Sequence, residues 1–353
     1  MKKVLLATTM LVAGASIAAA EVTLSGDARM GVLSGGSDNP ATLAVDEGGL
    51  VLTSRARVAF TLSGETDSGL SFGASFRADN AGAAAGGTAG SVFISGAFGK
   101  ISMGDVDGAA QQATGHVGGV GLTGLNDWNE STFIAAGGLN NVDQNFAGAG
   151  AANPVETADP TVVYEYTAGA FTFYGSITNP LDIVSGTPVV LSSNADAYSI
   201  GGKYTFGDYT VGLGYEKLSG FITPAGGAGT VVTAAKPANN TNLSHVVATV
   251  SGTFGGVTVK GLYGKASGTL AGANIVTPAN NGKQYAASAT YTSGALSGTV
   301  FYADDSALGG TAAYGIGATY DLGGGAKVMG GVAKTKVIGA DQTAFDLGVS
   351  LTF

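Results

Sequence analysis

No cysteine occurs among the 353 residues. Its absence removes disulfides, zinc–thiolate sites and thiol nucleophiles from consideration. Charge is sparse: charged residues make up 12% of the chain, about half the ~25% usual in soluble domains. The balance is acidic, at a formal −9, which argues against nucleic acid as a partner. Histidine occurs twice, as His116 and His245, and tryptophan once, as Trp128. Neither histidine lies near a Gly-x-Ser-x-Gly elbow, and no Gly-x-x-x-x-Gly-Lys-Ser/Thr phosphate loop is present. Two histidines distant in sequence can meet in space, but a lone histidine is more often structural. The sequence therefore points away from an enzyme and implies no cofactor. Long apolar runs are missing too: beyond the first 20 residues none reaches the ~18 of a transmembrane helix. Yet 45% of the residues are hydrophobic. High apolar content without long runs is what the alternating strands of a membrane barrel produce.

The N-terminus has a separate job. Lys2 and Lys3 precede an apolar stretch from Val4 to Ala20 that ends Ala18-Ala19-Ala20 before Glu21. A basic start, an apolar middle and a small-residue cleavage site make residues 1–20 a secretory signal peptide rather than an anchor. No cysteine follows the cleavage point, which excludes lipoprotein processing. Without Lys2 and Lys3, 14 basic residues remain against 25 acidic ones, a net −11. The exported domain is 21–353.

The terminal ten residues show the alternation most clearly. Phe345, Leu347, Val349, Leu351 and Phe353 are large and apolar, while Ala344, Asp346, Gly348, Ser350 and Thr352 are small or polar. Successive strand side chains point to opposite faces, and ~9–11 residues suffice for a tilted strand to cross a bilayer. Ending on phenylalanine is unusual for a terminus, which is commonly polar and frayed. Seven short Gly-bearing turns recur at 66–69, 98–100, 168–170, 206–208, 254–256, 293–295 and 322–325. Eight longer strand-poor stretches fall near 34–49, 79–90, 106–159, 179–194, 220–241, 267–281, 304–311 and 336–342. Fifteen connections, short on one side and long on the other, predict an all-β fold. It is a 16-stranded antiparallel transmembrane β-barrel with both termini at the short-turn end.

Residue parity assigns the faces. Val22, Leu24, Ala28, Met30 and Val32 alternate with polar residues, as do Leu70, Phe72, Ala74 and Phe76, and Tyr209, Val211, Leu213 and Tyr215. Aromatics gather beside the short turns: Phe98, Tyr166, Phe171, Tyr204, Tyr209, Phe254, Tyr291, Tyr320 and Phe353. That is the pattern of an interfacial girdle. Early strands carry small residues on the outward positions, among them Gly26, Ala28, Ser54, Ala56, Ala74 and Gly96. We expect strands one to five and sixteen to form a subunit contact, where close backbone approach replaces lipid.

Several stretches carry a family likeness. They are Glu21-Val22-Thr23-Leu24-Ser25-Gly26-Asp27-Ala28-Arg29-Met30-Gly31, Ser95-Gly96-Ala97-Phe98-Gly99-Lys100-Ile101, the run from Tyr204 to Lys217, Tyr320-Asp321-Leu322-Gly323-Gly324-Gly325, and the terminal strand. Along nearly the whole exported chain the sequence resembles the general diffusion porins of alphaproteobacteria, the Rhodobacter type. The resemblance implies a water-filled, homotrimeric outer-membrane barrel passing small hydrophilic solutes and ions, with a third long loop folded inward. It further implies outer-membrane lipid and lipopolysaccharide as surroundings, and a barrel-assembly machinery that reads terminal strands ending in Phe, here Phe353.

The long stretch 106–159 fits that loop, since so long an interruption is commonly functional. It holds Asp107, Asp127, Glu130, Asp143, Glu156 and Asp159, no Lys or Arg, and Trp128. Arg29, Arg55, Arg57 and Arg77 fall on the polar parity of strands one to three. On the lipid face near the midplane each would cost ~2–4 kcal/mol, so they face the lumen as a basic patch. Opposed by Asp107, Asp127 and Glu130, they would set a transverse field at the narrowest point. The alternative is that the arginines only brace the wall through ion pairs. Calcium is compatible with the family, but no binding-loop spacing of acids appears, and no metal is expected. Lys203 and Lys260 share the lumen parity and could tune ion preference.

Two other functions compete with a general pore. A channel selective for sugar or phosphate would show a ladder of lumen aromatics or a run of lumen lysines. Only Phe93, Tyr174 and Phe301 depart from the outward parity of the aromatics. A soluble Gly-rich solenoid would need a fixed repeat such as Gly-Gly-x-Gly-x-Asp, which is absent.

Overall fold

The computed structural model describes residues 21–34, 51–79, 88–104, 106–125, 127–134, 161–178, 195–221, 240–270, 273–274, 282–305, 312–337 and 340–353. The signal peptide of residues 1–20, and Asp143, Glu156 and Asp159 of the long connection, lie outside these.

Seventeen strand segments follow in chain order. They are β1 (Glu21–Ser34), β2 (Val51–Glu65), β3 (Ser71–Asp79), β4 (Thr88–Gly96), β5 (Gly99–Gly104), β6 (Thr161–Ala168), β7 (Phe171–Thr178), β8 (Ala195–Phe206), β9 (Tyr209–Phe221), β10 (Asn240–Phe254), β11 (Val257–Leu270), β12 (Ala273–Asn274), β13 (Lys283–Ser293), β14 (Leu296–Asp304), β15 (Ala312–Gly323), β16 (Ala326–Val337) and β17 (Ala340–Thr352). β12 is a two-residue spur on the end of β11, so sixteen strands make the wall. Sequence neighbours pair antiparallel all the way round, and β1 closes the ring against β17, with Asp27 opposite Thr352 and Ser34 opposite Phe345. Closure removes both sheet edges, leaving every strand paired on two sides.

Each of the seven short turns lies where the glycines place it. Gly69, Gly99, Gly169, Gly207, Gly255, Gly294 and Gly324 all have positive φ, the backbone region tight hairpins need and side chains resist. One connection differs from expectation. The stretch 336–342 was expected to be a long loop, but pairing continues through Lys336–Asp341 to Val337–Ala340. Only residues 338–339 separate the two strands. Lys336 and Asp341 read as loop residues by their charge, yet charge is tolerated at a strand end beyond the apolar band.

The apolar row faces out. On β17, Phe345 and Leu347 are 40% and 54% exposed, whereas the alternating Ala344 and Asp346 are 2% and 3% exposed. That inversion of the soluble pattern repeats around the wall, from Leu24 and Met30 to Tyr314 and Ile316. No helix among the described residues is long and apolar enough to cross a membrane.

The packed core lies inside the ring. Ala110, Val117, Val120, Leu125 and Phe133 of the segment after β5 pack on Val247, Leu262, Ala286, Phe301, Ala303, Ala313, Ala333 and Ala344 of the wall. Phe301 belongs to this cluster, and Tyr174 packs on Ala109 and Ala113. Two of the three inward aromatics thus serve as flooring for that segment.

Candidate functional site

The segment 106–134 begins with the short helix α1 (Ala109–Thr114). Its N-cap is Gly108, which offers no side chain, so the first amides need outside acceptors. The N–H of Ala109 donates to Ser176 Oγ at 2.9 Å and that of Ala110 to Ser199 Oγ at 3.2 Å. The two hydroxyls, on β7 and β8, are themselves 2.7 Å apart. At the other end Lys260 Nζ donates to the Thr114 carbonyl at 2.6 Å, a cation at the negative end of the helix. This ammonium, expected to tune ions in the lumen, is held by the backbone.

Glycines on the inner wall make room for the segment. A Cβ added at Gly201 would sit 2.5 Å from Ala109 O, one at Gly212 2.4 Å from Ala113 O, and one at Gly214 2.6 Å from Ala110 Cβ. Further round, Gly317 and Gly331 accommodate Val120 and Gly121, and Gly31 and Gly348 accommodate Leu122. The Gly118 N–H donates to Ser288 Oγ at 2.9 Å. At the far side Thr123 donates to Asp346 Oδ2 twice, from N at 2.7 Å and from Oγ1 at 2.8 Å.

The chain then doubles back through Leu125 and Asp127, both at positive φ (50° and 53°). Asn129 Nδ2 donates to Val117 O at 2.8 Å, and Ser131 N to His116 Nδ1 at 2.9 Å. The returning stretch meets a buried polar network. Thr132 N donates to Asp305 Oδ2 at 2.6 Å, Gln284 Nε2 donates to Thr132 O at 3.0 Å, and Ile134 N donates to Glu216 Oε2 at 2.8 Å. Glu216 also meets His245 Nδ1 at 3.0 Å, with both side chains fully buried. Glu216, Gln284 and Asp305 escaped sequence reading because their partners are backbone groups of a distant segment, whereas His245 was named there and read as structural. A signal was there: Glu216 and His245 are polar residues on lumen parity well inside their strands, and Gln284 shares that parity at the start of β13.

His116 is held neutral. Its Nδ1 accepts from Ser131, so the ring proton sits on Nε2. Gln111 Nε2 lies 3.1 Å from His116 Nε2 and its buried oxygen has no partner, so exchanging the amide oxygen and nitrogen would let the ring proton be accepted. Burial, with Lys260 nearby, lowers the His116 pKa to about 4.

The three acids chosen from sequence come together. Asp107 precedes α1, while Asp127 and Glu130 lie on the reversal; all three are exposed. Enclosure raises the Glu130 pKa to about 7, with the charges of Asp127 and then Asp107 adding to the effect. Glu130 keeps 45% of its side chain exposed and lies 3.9 Å from His116 Nε2, so the enclosure is partial.

The four arginines occupy adjacent strands. Arg29 stands directly opposite Arg55, and Arg57 opposite Asp27; Arg77 lies on β3 opposite Ala59. Arg55 Nη2 binds Asp27 Oδ1 at 3.0 Å. Arg29 Nη1 reaches the Thr123 carbonyl at 3.5 Å, touching the segment directly. Asp27 was not among the residues expected here, although its odd parity matches that of Arg29. Among the described residues no group of three His, Asp or Glu side chains is arranged to hold a metal ion.

Comparison with known proteins gives one consistent answer. A family model described as Gram-negative porin matches residues 7–339. A porin of Rhodobacter capsulatus is 34% identical over 346 residues, covering 94% of this chain and all of that one. A porin structure refined at 1.8 Å superposes with a TM-score of 0.67 at 32% identity, again over 94% of this chain and all of the other. Variants of Rh. blastica porin share the fold at 21% identity and a TM-score of 0.58, over the same shares.

Proposed function

The chain belongs to the Gram-negative porin family, and on that premise we propose that its passage is narrowed by segment 106–134 acting with the arginine wall. The protein is a general diffusion porin, a channel of the outer membrane that passes small hydrophilic solutes and ions. Solutes would meet Arg29, Arg55, Arg57 and Arg77 on one side and Asp107, Asp127 and Glu130 on the other. A polar solute can align its dipole in such a field, whereas an apolar one must displace ordered water. The observation that carries this reading is the shared electrostatic neighbourhood of the three acids on a segment that Arg29 touches. Purified protein in planar bilayers should conduct in large, linear steps insensitive to added solutes. Saturable block by one sugar or by phosphate would replace the general pore with a selective one. Absence of conductance would overturn both.

The remaining assignments follow from the same reading. The chain is exported by residues 1–20 and inserted by the barrel-assembly machinery, with Phe353 as its signal. It assembles as a homotrimer through the small-residue face of β1–β5 and β17. It performs no catalytic step and uses no cofactor; calcium is not required. Conductance in groups of three equal steps, abolished by Ala56→Trp on the proposed contact, would test the trimer. Unchanged triplets would move the interface elsewhere.

A further inference from the structure

The segment 106–134 is seated by two kinds of anchor. Its outgoing limb rests on the hydroxyls of Ser176, Ser199 and Ser288, on the Lys260 ammonium and on Asp346. The limb that returns past Glu130 rests on Glu216, Gln284 and Asp305, with His245 fully buried among them. Ionisable side chains thus hold the limb that carries the acids of the passage.

Hydrogen-bond geometry places the protons on the His245 ring. Glu216 Oε2 accepts from Ile134 N at 2.8 Å and also meets His245 Nδ1 at 3.0 Å. An oxygen that accepts an amide N–H is not the one carrying a carboxyl proton, so the proton between the two side chains sits on Nδ1. The other ring nitrogen, Nε2, is buried without a hydrogen-bond partner among the described residues. So is Gln284 Oε1, and its amide cannot turn round because Gln284 Nε2 donates to the Thr132 carbonyl. The two atoms converge: a Cβ added at Gly264 would meet Oε1 at 2.4 Å and Nε2 at 2.6 Å. Bare acceptors at one point repel, and a buried polar atom left unpaired is costly. A second ring proton, on Nε2, removes both faults by aiming a donor at the amide oxygen.

The surrounding charges favour a cation there. Around the ring, β9 brings Glu216, β11 brings Gly264 and Ala266, β13 brings Gln284, and Asp305 follows β14. The segment brings Phe133, 6.2 Å from the imidazole, with the neutral His116 on its other side. Lys217 and Lys265 belong to the outer face, and Lys260 is bound to Thr114. A buried carboxylate needs a partner of opposite charge, and His245 is the one beside Glu216.

We propose that His245 is a buried imidazolium, clamped between Glu216 and the Gln284 carbonyl, and that it locks the return limb until the ring loses its second proton. A cation held by a carboxylate supports the fold while it is protonated, and rising pH removes that support. Loss of the proton leaves Glu216 buried beside a neutral ring and sets Gln284 Oε1 against a lone pair. Thr132 and Ile134 then lose their seat, and Glu130 moves with them, whereas α1 keeps its hydroxyl anchors. The inference rests on the reading that this segment narrows the passage, which turns release into a change of current.

Nitrogen-15 NMR of histidine-labelled protein in micelles, recorded beside single-channel current between about pH 5 and 10, tests the lock. The chain has two histidines, so H116Q leaves the His245 ring alone in the spectrum. Both ring nitrogens should be protonated while the channel is quiet, and the loss of one should coincide in pH with the onset of flicker. E216Q keeps the side-chain size and removes the counter-charge. It should move both transitions together to lower pH, raising the ratio of released to seated dwell time at neutral pH about tenfold or more, with an unaltered circular dichroism spectrum. A bare ring nitrogen in the quiet channel, as a neutral ring bridged by water would give, overturns the proposal. So does a current that stays quiet while the ring titrates, or a titration that E216Q leaves in place. If E216Q does not fold, the two titrations of the unaltered chain decide. A protein that never conducts defeats the porin reading, and the ring spectra still decide the proton.

Discussion

Glu130 and His116 are neighbours displaced in opposite directions. Glu130 titrates near 7, and His116 near 4. Between pH 5.5 and 8.5 only the carboxyl changes charge. A carboxyl whose folded pKa lies above its ordinary value of 4.5 is protonated preferentially in the folded protein. It favours the fold as pH falls from about 7 to 4.5 and disfavours it when ionised above 7. Channel charge follows the same titration: acidification removes one negative charge from the segment. Cation preference, measured as reversal potential across a salt gradient, should decline with a midpoint near pH 7, and Glu130→Gln should flatten that step. A midpoint that persists in the variant would assign the titration elsewhere. The Arg55–Asp27 pair raises the separate question of whether the arginines brace the wall or set a field. Both side chains are partly exposed, at 26% and 41%, and such pairs contribute about 0–1 kcal/mol. Arg55→Ala should therefore shift selectivity toward cations while lowering unfolding stability by less than ~1 kcal/mol. A large stability loss with unchanged selectivity would favour bracing.

Among the elements, the segment 106–134 and the wall beneath it were shaped together. The inner glycines supply depth, and the inward Ser176, Ser199, Ser288 and Asp346 supply acceptors for its amides. Gly212→Ala would press a methyl against the Ala113 carbonyl at 2.4 Å, whereas at Gly261 the nearest atom is Val250 Cγ1, 3.9 Å away. Overpacking of this kind costs typically ~1–3 kcal/mol. Gly212→Ala should lower the denaturant midpoint and raise current noise as α1 lifts, and Gly261→Ala should do neither. At the far anchor, Asp346→Ala would leave the Thr123 amide without its acceptor, a loss of roughly 1–3 kcal/mol. Its single-channel trace should flicker where the unaltered protein is quiet. Little of this seat was legible in the sequence. Gly212 and Gly214 showed only as the small members of an alternating strand, because a glycine's reason lies in what approaches it. The acids Asp107, Asp127 and Glu130 were legible because charge in a long, base-free connection needs no partner to be noticed. Asp305 and Asp346 were not, since each is explained by an amide more than 170 residues away.

At the scale of the whole barrel, sequence alone went furthest. Turn glycines and period-two alternation are local, and closure of a sixteen-membered ring follows once they are counted; the spur β12 and the brief 338–339 connection are small departures. The terminal residue joins both scales. Phe353 donates its N–H to Gly26 O at 2.9 Å and accepts from Gly26 N at 3.3 Å, while its ring is 77% exposed. Backbone and ring therefore do separable things. The backbone zips the last strand to the first, and two such bonds are worth about 1–3 kcal/mol together. The ring touches little of its own barrel, which agrees with the proposal that the insertion machinery reads it. Phe353→Ala keeps the ladder and removes the ring, whereas deletion of Phe353 removes both. Refolding of purified protein into detergent micelles should be nearly normal for Phe353→Ala and weakened for the deletion. In cells both should accumulate less folded barrel in the outer membrane, by a factor larger than the micelle experiment accounts for. If Phe353→Ala reaches the membrane as efficiently as the unaltered chain, the ring is no assembly signal, and the terminal phenylalanine would be left with closure of the ring as its whole contribution.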